Sequence, residues 1–273
     1  LIRVFLRKSK WTPDDELAFF GEPELFRPPE QPVAISVPFT WDIPRAEHLQ
    51  RSWSRFYSRV ELGGPGLGDP GGEFTAGLFL RKGITITSRG CIRHCPWCHV
   101  PAREGRIREL KSIAPGHIIQ DNNILACSKA HVERVFAMLR DQRKAASFNG
   151  GLDARLLRPW HLELFKSITI GELWFAADEE GALRPLKYAA KLFGELPLWK
   201  KRAYVMIGYD GESLNQAEAR LEAVYDMGFL PFCQLYQPEE PKVYTRDWTD
   251  MARKWSRPAA YNNKKRGGKK WSI

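Results

Sequence analysis

From Gly83 onward the chain alternates short apolar runs with stretches of helical spacing, and this alternation restricts the fold more than any other feature. Runs near residues 84–87, 117–120, 145–149, 172–176, 203–207 and 230–235 have the length and β-branched or aromatic content of buried strands. The segments between them read as helices. Ser128 stands where a cap belongs, ahead of Val132, Val135, Phe136 and Leu139. Pro159 opens a helix with Leu162 and Phe165 inward, and Leu183, Leu186, Ala190 and Phe193 mark another. The clearest helix follows Ser213, where Ser213 and Gln216 form a capping box, Leu214, Ala217, Leu221 and Val224 make one apolar face, and Gly228 supplies the stop. Strand–helix–strand repetition of this kind predicts a parallel sheet with right-handed crossovers, in an α/β fold.

Residues 1–82 read as a separate small α/β region. The run Val33-Ala34-Ile35-Ser36-Val37 is a strand, and Asp42 with Pro44 begins a helix whose inner face is Ala46, Leu49, Trp53 and Phe56. Val60-Glu61-Leu62 is a second strand. The glycine-rich stretch 63–77 is either a connecting loop or a cradle of backbone N–H groups for phosphate.

Chemistry concentrates in the loop after the strand at 84–87. Cys91, Cys95 and Cys98 are three of the chain's five cysteines, spaced C-x3-C-x2-C. Thiolates are soft ligands suited to zinc or iron–sulfur clusters. A closed zinc site wants four ligands, so three thiolates fit a four-iron cluster with one iron left open. The alternative is a zinc or redox loop with His94 or His99 as fourth ligand.

The loop, with aromatic Trp97 directly before the third cysteine and Thr87-Ser88-Arg89-Gly90 before the first, resembles the radical S-adenosylmethionine (radical SAM) superfamily. Within it, the flanking residues look like the branch related to cobalamin-binding members and tRNA methylthiotransferases. The resemblance implies a partial (β/α)6 barrel over residues 83–240, preceded by a reduced Rossmann-like region over 1–82 and followed by a tail over 241–273. It implies that Cys91, Cys95 and Cys98 hold a [4Fe–4S] cluster and that S-adenosylmethionine chelates the open iron. One electron from a flavodoxin- or ferredoxin-like donor then cleaves the sulfonium to a 5′-deoxyadenosyl radical, which abstracts hydrogen from a substrate. Trp97 is expected against adenine. Asp121 is expected on the methionine amine, with Asn122 and Asn123 beside it, a strand end that departs from the superfamily's Gly-Gly-Glu. Arg155 is expected to pair with the SAM carboxylate, with Asp153 near the ribose, and Asp178 to contact SAM or an arginine holding it. Gly208 belongs to a turn, residues 206–212, that packs on adenine; Asp210 stands there in place of the family's proline.

The resemblance also removes options. The cobalt-binding D-x-H-x-x-G loop is missing, and residues 1–90 hold no cysteine for an auxiliary cluster. The odd cysteine count with three clustered argues for a reducing, cytoplasmic setting. No apolar run reaches the ~18–20 residues of a membrane span. Net charge is +10, yet eight basic and no acidic residues fall between positions 252 and 273, and the other 34 basic residues stand against 32 acidic ones. This basic tail, interleaved with Trp255, Tyr261 and Trp271, is a candidate nucleic-acid contact or a solvated terminus. Arg89, Arg93, Arg103, Arg106 and Arg108 form a second basic group around the cysteines, interrupted by Glu104 and Glu109. The expected function is radical SAM chemistry on an unidentified substrate, with a lean to nucleotide or nucleic acid. The alternative is a non-catalytic zinc or iron–sulfur nucleic-acid module.

Overall fold

The computed structural model describes residues 1–238 and 242–262. The chain divides into two compact units. The first comprises Leu1–His94, His99–Asn122 and Cys127–Gln142; the second comprises Cys95–Cys98, Asn123–Ala126 and the chain from Arg143 onward.

The first unit opens with β1 (Ile2–Phe5), β2 (Ala18–Phe20) and β3 (Val33–Ser36), then α1 (Ile43–Trp53) and β4 (Val60–Gly63). These strands form one parallel sheet in the order β2-β1-β3-β4. The expected strand–helix–strand unit is therefore β3-α1-β4. Its core is Ile2, Val4, Val33, Ile35, Val37, Ala46, Leu49 and Trp53, all essentially buried. Each such aliphatic side chain contributes roughly 1.5–3 kcal/mol of burial free energy. Two local expectations differ. Phe56 lies past the end of α1, is 47% exposed, and carries the Arg27 guanidinium on its ring. Asp42 stands at the N-cap position but makes no cap hydrogen bond, because its carboxylate pairs with Arg7.

The same unit continues with β5 (Gly83–Thr85), β6 (Ser88–Arg89), α2 (Val100–Glu104), β7 (Arg108–Glu109), β8 (Gly116–Ile119) and α3 (Lys129–Gln142). Strands β5 and β8 pair in parallel, and β6 and β7 form an antiparallel clip that brackets the segment carrying Cys91. Ser128 caps α3 through the His131 N–H at 3.2 Å.

The second unit holds β9 (Ala146–Leu152), α4 (Pro159–Lys166), β10 (Ile170–Ala176), α5 (Leu183–Leu192), β11 (Lys201–Ile207), α6 (Leu214–Asp226) and β12 (Leu230–Leu235). Strands β9 to β12 pair in parallel in chain order. Alternate residues Phe148, Leu173, Phe175, Val205 and Ile207 are buried, and the intervening Trp174 and Tyr204 are half-buried. The capping box on α6 is present in both directions. All six strands and all four helices expected after Gly83 are found, in an α/β chain with parallel sheets.

Residues expected to form a basic tail instead begin with α7 (Arg246–Trp255) and α8 (Pro258–Asn262). Trp255 and Tyr261 are buried against each other and Tyr225, with ring centroids 4.9 to 6.4 Å apart. The Tyr261 hydroxyl donates to the Pro231 carbonyl at 2.8 Å. Those two rings are core residues and have no face left for a base. Lys264, Lys265, Arg266, Lys269, Lys270 and Trp271 lie outside the described residues.

Candidate active site

Around Cys91 the backbone is fixed by close packing. Gly90 has φ +77°, and a Cβ there would lie 2.3 Å from the Arg106 carbonyl oxygen, so only glycine fits. Cys91 N–H donates to the Gly105 carbonyl at 3.2 Å. The Arg93 N–H donates to the Cys91 sulfur at 3.3 Å. In the second unit Cys98 N–H closes a turn on the Cys95 carbonyl at 3.0 Å. Within the first unit, a soft donor with an N–H aimed at its sulfur makes Cys91 chemically suited to a metal–sulfur group. Among the described residues no group of three or more His, Cys, Asp and Glu side chains converges as one metal ion requires. That requirement belongs to a single ion, whose ligand atoms all lie about 2.0–2.3 Å from one point; a cluster gives each cysteine its own iron.

Asp121, expected to receive an amine, is fully buried in the first unit and already occupied. Its carboxylate accepts the Thr87 N–H at 2.6 Å, the Thr87 hydroxyl at 2.6 Å and the Ser88 hydroxyl at 2.7 Å. Burial pushes its pKa up to about 6, against the opposing pull of these donors. It thus ties the end of β8 to the residues that lead into Cys91. On the far side of Thr87, the ring of buried His131 lies 3.2 Å from the Thr87 hydroxyl, and desolvation holds its pKa below the usual histidine value. Asn122 donates from Nδ2 to Glu104 at 2.6 Å. Asn123, in the second unit, is buried, and its carbonyl accepts the Ala126 N–H at 3.0 Å.

Glu104 is the residue beside Cys91 whose bonding the sequence did not disclose. It was visible only as an interruption among arginines. Its carboxylate accepts the Gly90 N–H at 3.0 Å, Asn122 Nδ2, and the Arg103 guanidinium at 2.6 Å. The arginines are partly committed as well. Arg89 donates to the Gly72 carbonyl at 2.9 Å and Arg108 to the Gly71 carbonyl at 3.0 Å. The glycine-rich stretch 63–77 therefore presents carbonyls to arginines here, which suits a connecting loop.

The second unit gathers several expected residues at strand ends. Arg155 forks between Asp153 at 2.7 Å and Glu179 at 3.0 Å. Asp178 is half-buried, and its carboxylate accepts the Met206 N–H at 2.8 Å; desolvation raises its pKa, while that N–H and Arg220 oppose the rise. Gly208 has φ +80°, its N–H donates to Glu212 at 2.8 Å, and its carbonyl accepts Lys242 Nζ at 3.0 Å. Asp210 sits at φ +48°. Proline is fixed near −65°, so the turn has a different shape from the proline-containing one. Trp97 packs edge-on to Tyr209, with centroids 5.3 Å apart, and Tyr209 meets Tyr236 at 4.9 Å. The aromatic expected against adenine and the turn expected to pack on adenine are thus neighbours. A cavity of about 590 Å³ adjoins the same turn, lined by Glu180, Asp210, Glu212 and Arg220 among others.

Cys127 and Cys233 are buried, and burial pushes both thiols up to about 12. Among the described residues, no helix is long and apolar enough to cross a membrane. No protein-family model and no curated protein matches the chain.

Proposed function

We propose that this chain is a radical SAM enzyme with the partial (β/α)6 barrel expected from its sequence, acting on an unidentified substrate with a lean to nucleotide or nucleic acid. The observation that carries the reading is the C-x3-C-x2-C spacing placed directly after a strand of a parallel α/β chain. The N–H donated to the Cys91 sulfur and the Trp97/Tyr209 contact support it. Cys91, Cys95 and Cys98 would hold a [4Fe–4S] cluster, and when bound with SAM that group supplies one-electron cleavage of the sulfonium.

The chain's own residues supply position and shielding. Glu104 and Asp121 pin the two sides of the segment entering Cys91 through Gly90 and Thr87. Trp97 and Tyr209 offer apolar faces for a flat ring beside the 206–212 turn. Arg155 is a fixed guanidinium whose present partners are carboxylates, so it can exchange one of them for a ligand carboxylate. The external reductant is of the flavodoxin or ferredoxin type.

The test is anaerobic reconstitution with iron and sulfide, followed by dithionite and SAM. Release of 5′-deoxyadenosine, abolished in Cys95→Ala, is the expected result. One bound zinc per chain and no SAM cleavage would instead establish a non-catalytic metal module.

A further inference from the structure

The first unit's sheet order, β2-β1-β3-β4, contains a reversal. The chain leaves β1 toward β2 on one side and leaves β3 toward β4 on the other. Ligands of open parallel sheets bind outside the carboxyl ends of the strands at such a switch point. Phe5 and Ser36 are register partners at the ends of β1 and β3. The two loops that follow meet, because Arg7 from one pairs with Asp42 from the other.

An unusual surface stands here. Phe39 and Trp41 stack with centroids 4.5 Å apart and planes 8° from parallel. Neither is hidden: they are 46% and 63% exposed, and Leu67 is 42% exposed. The platform is rigidly supported. Gly66 N–H donates to the Val37 carbonyl at 2.8 Å, and a Cβ on Gly66 would lie 2.6 Å from the Phe39 backbone. Buried Asp42 keeps one carboxylate oxygen without a hydrogen-bond partner. Arg7, held there by Asp42, and Arg45, in the first turn of α1, are exposed; Lys8 and Lys10 are exposed farther along the β1–β2 loop, their ammonium groups over the Phe20 and Trp11 rings at 5.6 and 4.7 Å.

We propose that Phe39 and Trp41, with Arg7, Lys8, Lys10 and Arg45, bind single-stranded nucleic acid. One unpaired base stacks on Trp41, and the adjoining phosphates meet the cations. A strand fits better than a duplex because the platform can reach a base only by its open π-face. It fits better than a free nucleotide because small-molecule sites enclose most of their ligand, whereas this one is open. The proposal deepens the nucleic-acid lean stated above and rests on it only for the link to catalysis. It also moves the contact away from Trp255 and Tyr261, whose rings are buried.

The experiment is fluorescence anisotropy of the full chain with a labelled oligothymidylate of about 12 nucleotides, a length within the usual footprint of such sites. Neither SAM, reductant nor iron is added, so failure here and failure of SAM cleavage are separate results. Trp41→Ala and Phe39→Ala should each weaken binding at least about fivefold, the lower end of what one base stack contributes. Lys8→Gln with Lys10→Gln should flatten the slope of log affinity against log salt by about 1.4, or two phosphate contacts. Trp199→Ala, an equally exposed tryptophan of the second unit (57%), should leave binding unchanged. Parent-like affinity in both platform variants overturns the proposal, as does no binding by the parent. A mononucleotide that competes as well as the strand overturns it in favour of a free nucleotide. Self-association lost in Trp41→Ala, or binding to anionic vesicles lost in that variant, reassigns the surface to a second copy or a membrane and also overturns it.

Discussion

Replacing Asp121 by asparagine should change the pH dependence of stability more than the stability itself in acid. The carboxyl of Asp121 has an ordinary value of 3.8 and is raised to about 6 in the folded chain, chiefly by desolvation. Between those two values the folded chain holds a proton that the unfolded chain releases. The contribution of this group is therefore fully present below about pH 4 and is lost as pH rises through about 6. A shift of about two pKa units corresponds to about 3 kcal/mol. Asparagine imitates the protonated acid. Its oxygen can accept the Thr87 N–H, and its nitrogen can donate to the Thr87 and Ser88 hydroxyls, which then act as acceptors. Asp121→Asn should match the parent near pH 4 and exceed it by about 3 kcal/mol near pH 8. Urea unfolding followed by circular dichroism at a series of pH values gives the difference directly, and titration of His131 appears in both proteins and cancels to first order. A variant less stable than the parent at pH 8 would refute the reasoning. It would mean that the three hydrogen bonds to the charged carboxylate outweigh its desolvation.

Other positions give independent checks. Gly90→Ala combines a left-handed backbone, costing about 1–2 kcal/mol, with a 2.3 Å approach to the Arg106 carbonyl; iron bound after reconstitution should fall well below the parent's. Cys127 and Cys233, both raised to about 12 by burial, should resist iodoacetamide at pH 8 in the folded chain and react after denaturation. Labelling of either in the native protein would show that its site opens. Trp255→Ala should cost about 3–5 kcal/mol by denaturation and leave oligonucleotide affinity at parental levels in conditions where the variant is folded. Unchanged stability with lost affinity would return Trp255 to the role of a base-stacking residue.

The chain after Gly83 was legible because its signals are local. A capping box spans four residues, and an apolar run with a glycine stop needs no distant partner to be recognised; β9 to β12 and α6 all announce themselves this way. Strand β1 did not, because Arg3 interrupts it. In the fold that guanidinium is buried, pairs with Asp15, and donates to the carbonyls of Gly77 and Leu78 at 3.0 Å. Partners 12 and 74 residues away leave no trace in a sequence window. Helix α7 was hidden by its charge, since basic residues dominate its last turn and only Trp255 is deeply buried. At the candidate site, residue identities did not disclose the present hydrogen bonding. The carboxylate of Asp121 is an acceptor, as its residue type implies, yet for Thr87 and Ser88. Hydrogen-bond partners depend on which neighbours the fold supplies, and Asp42 shows the same limit by pairing with Arg7 rather than capping α1.

The reach of Arg3 has a further consequence. By holding Gly77 and Leu78 against the first strand, it brings the entry and the exit of the β2-β1-β3-β4 layer within one side chain of each other. Two points of the chain held this close could be joined by a short linker without stretching any strand. In that sense the arginine is a clasp.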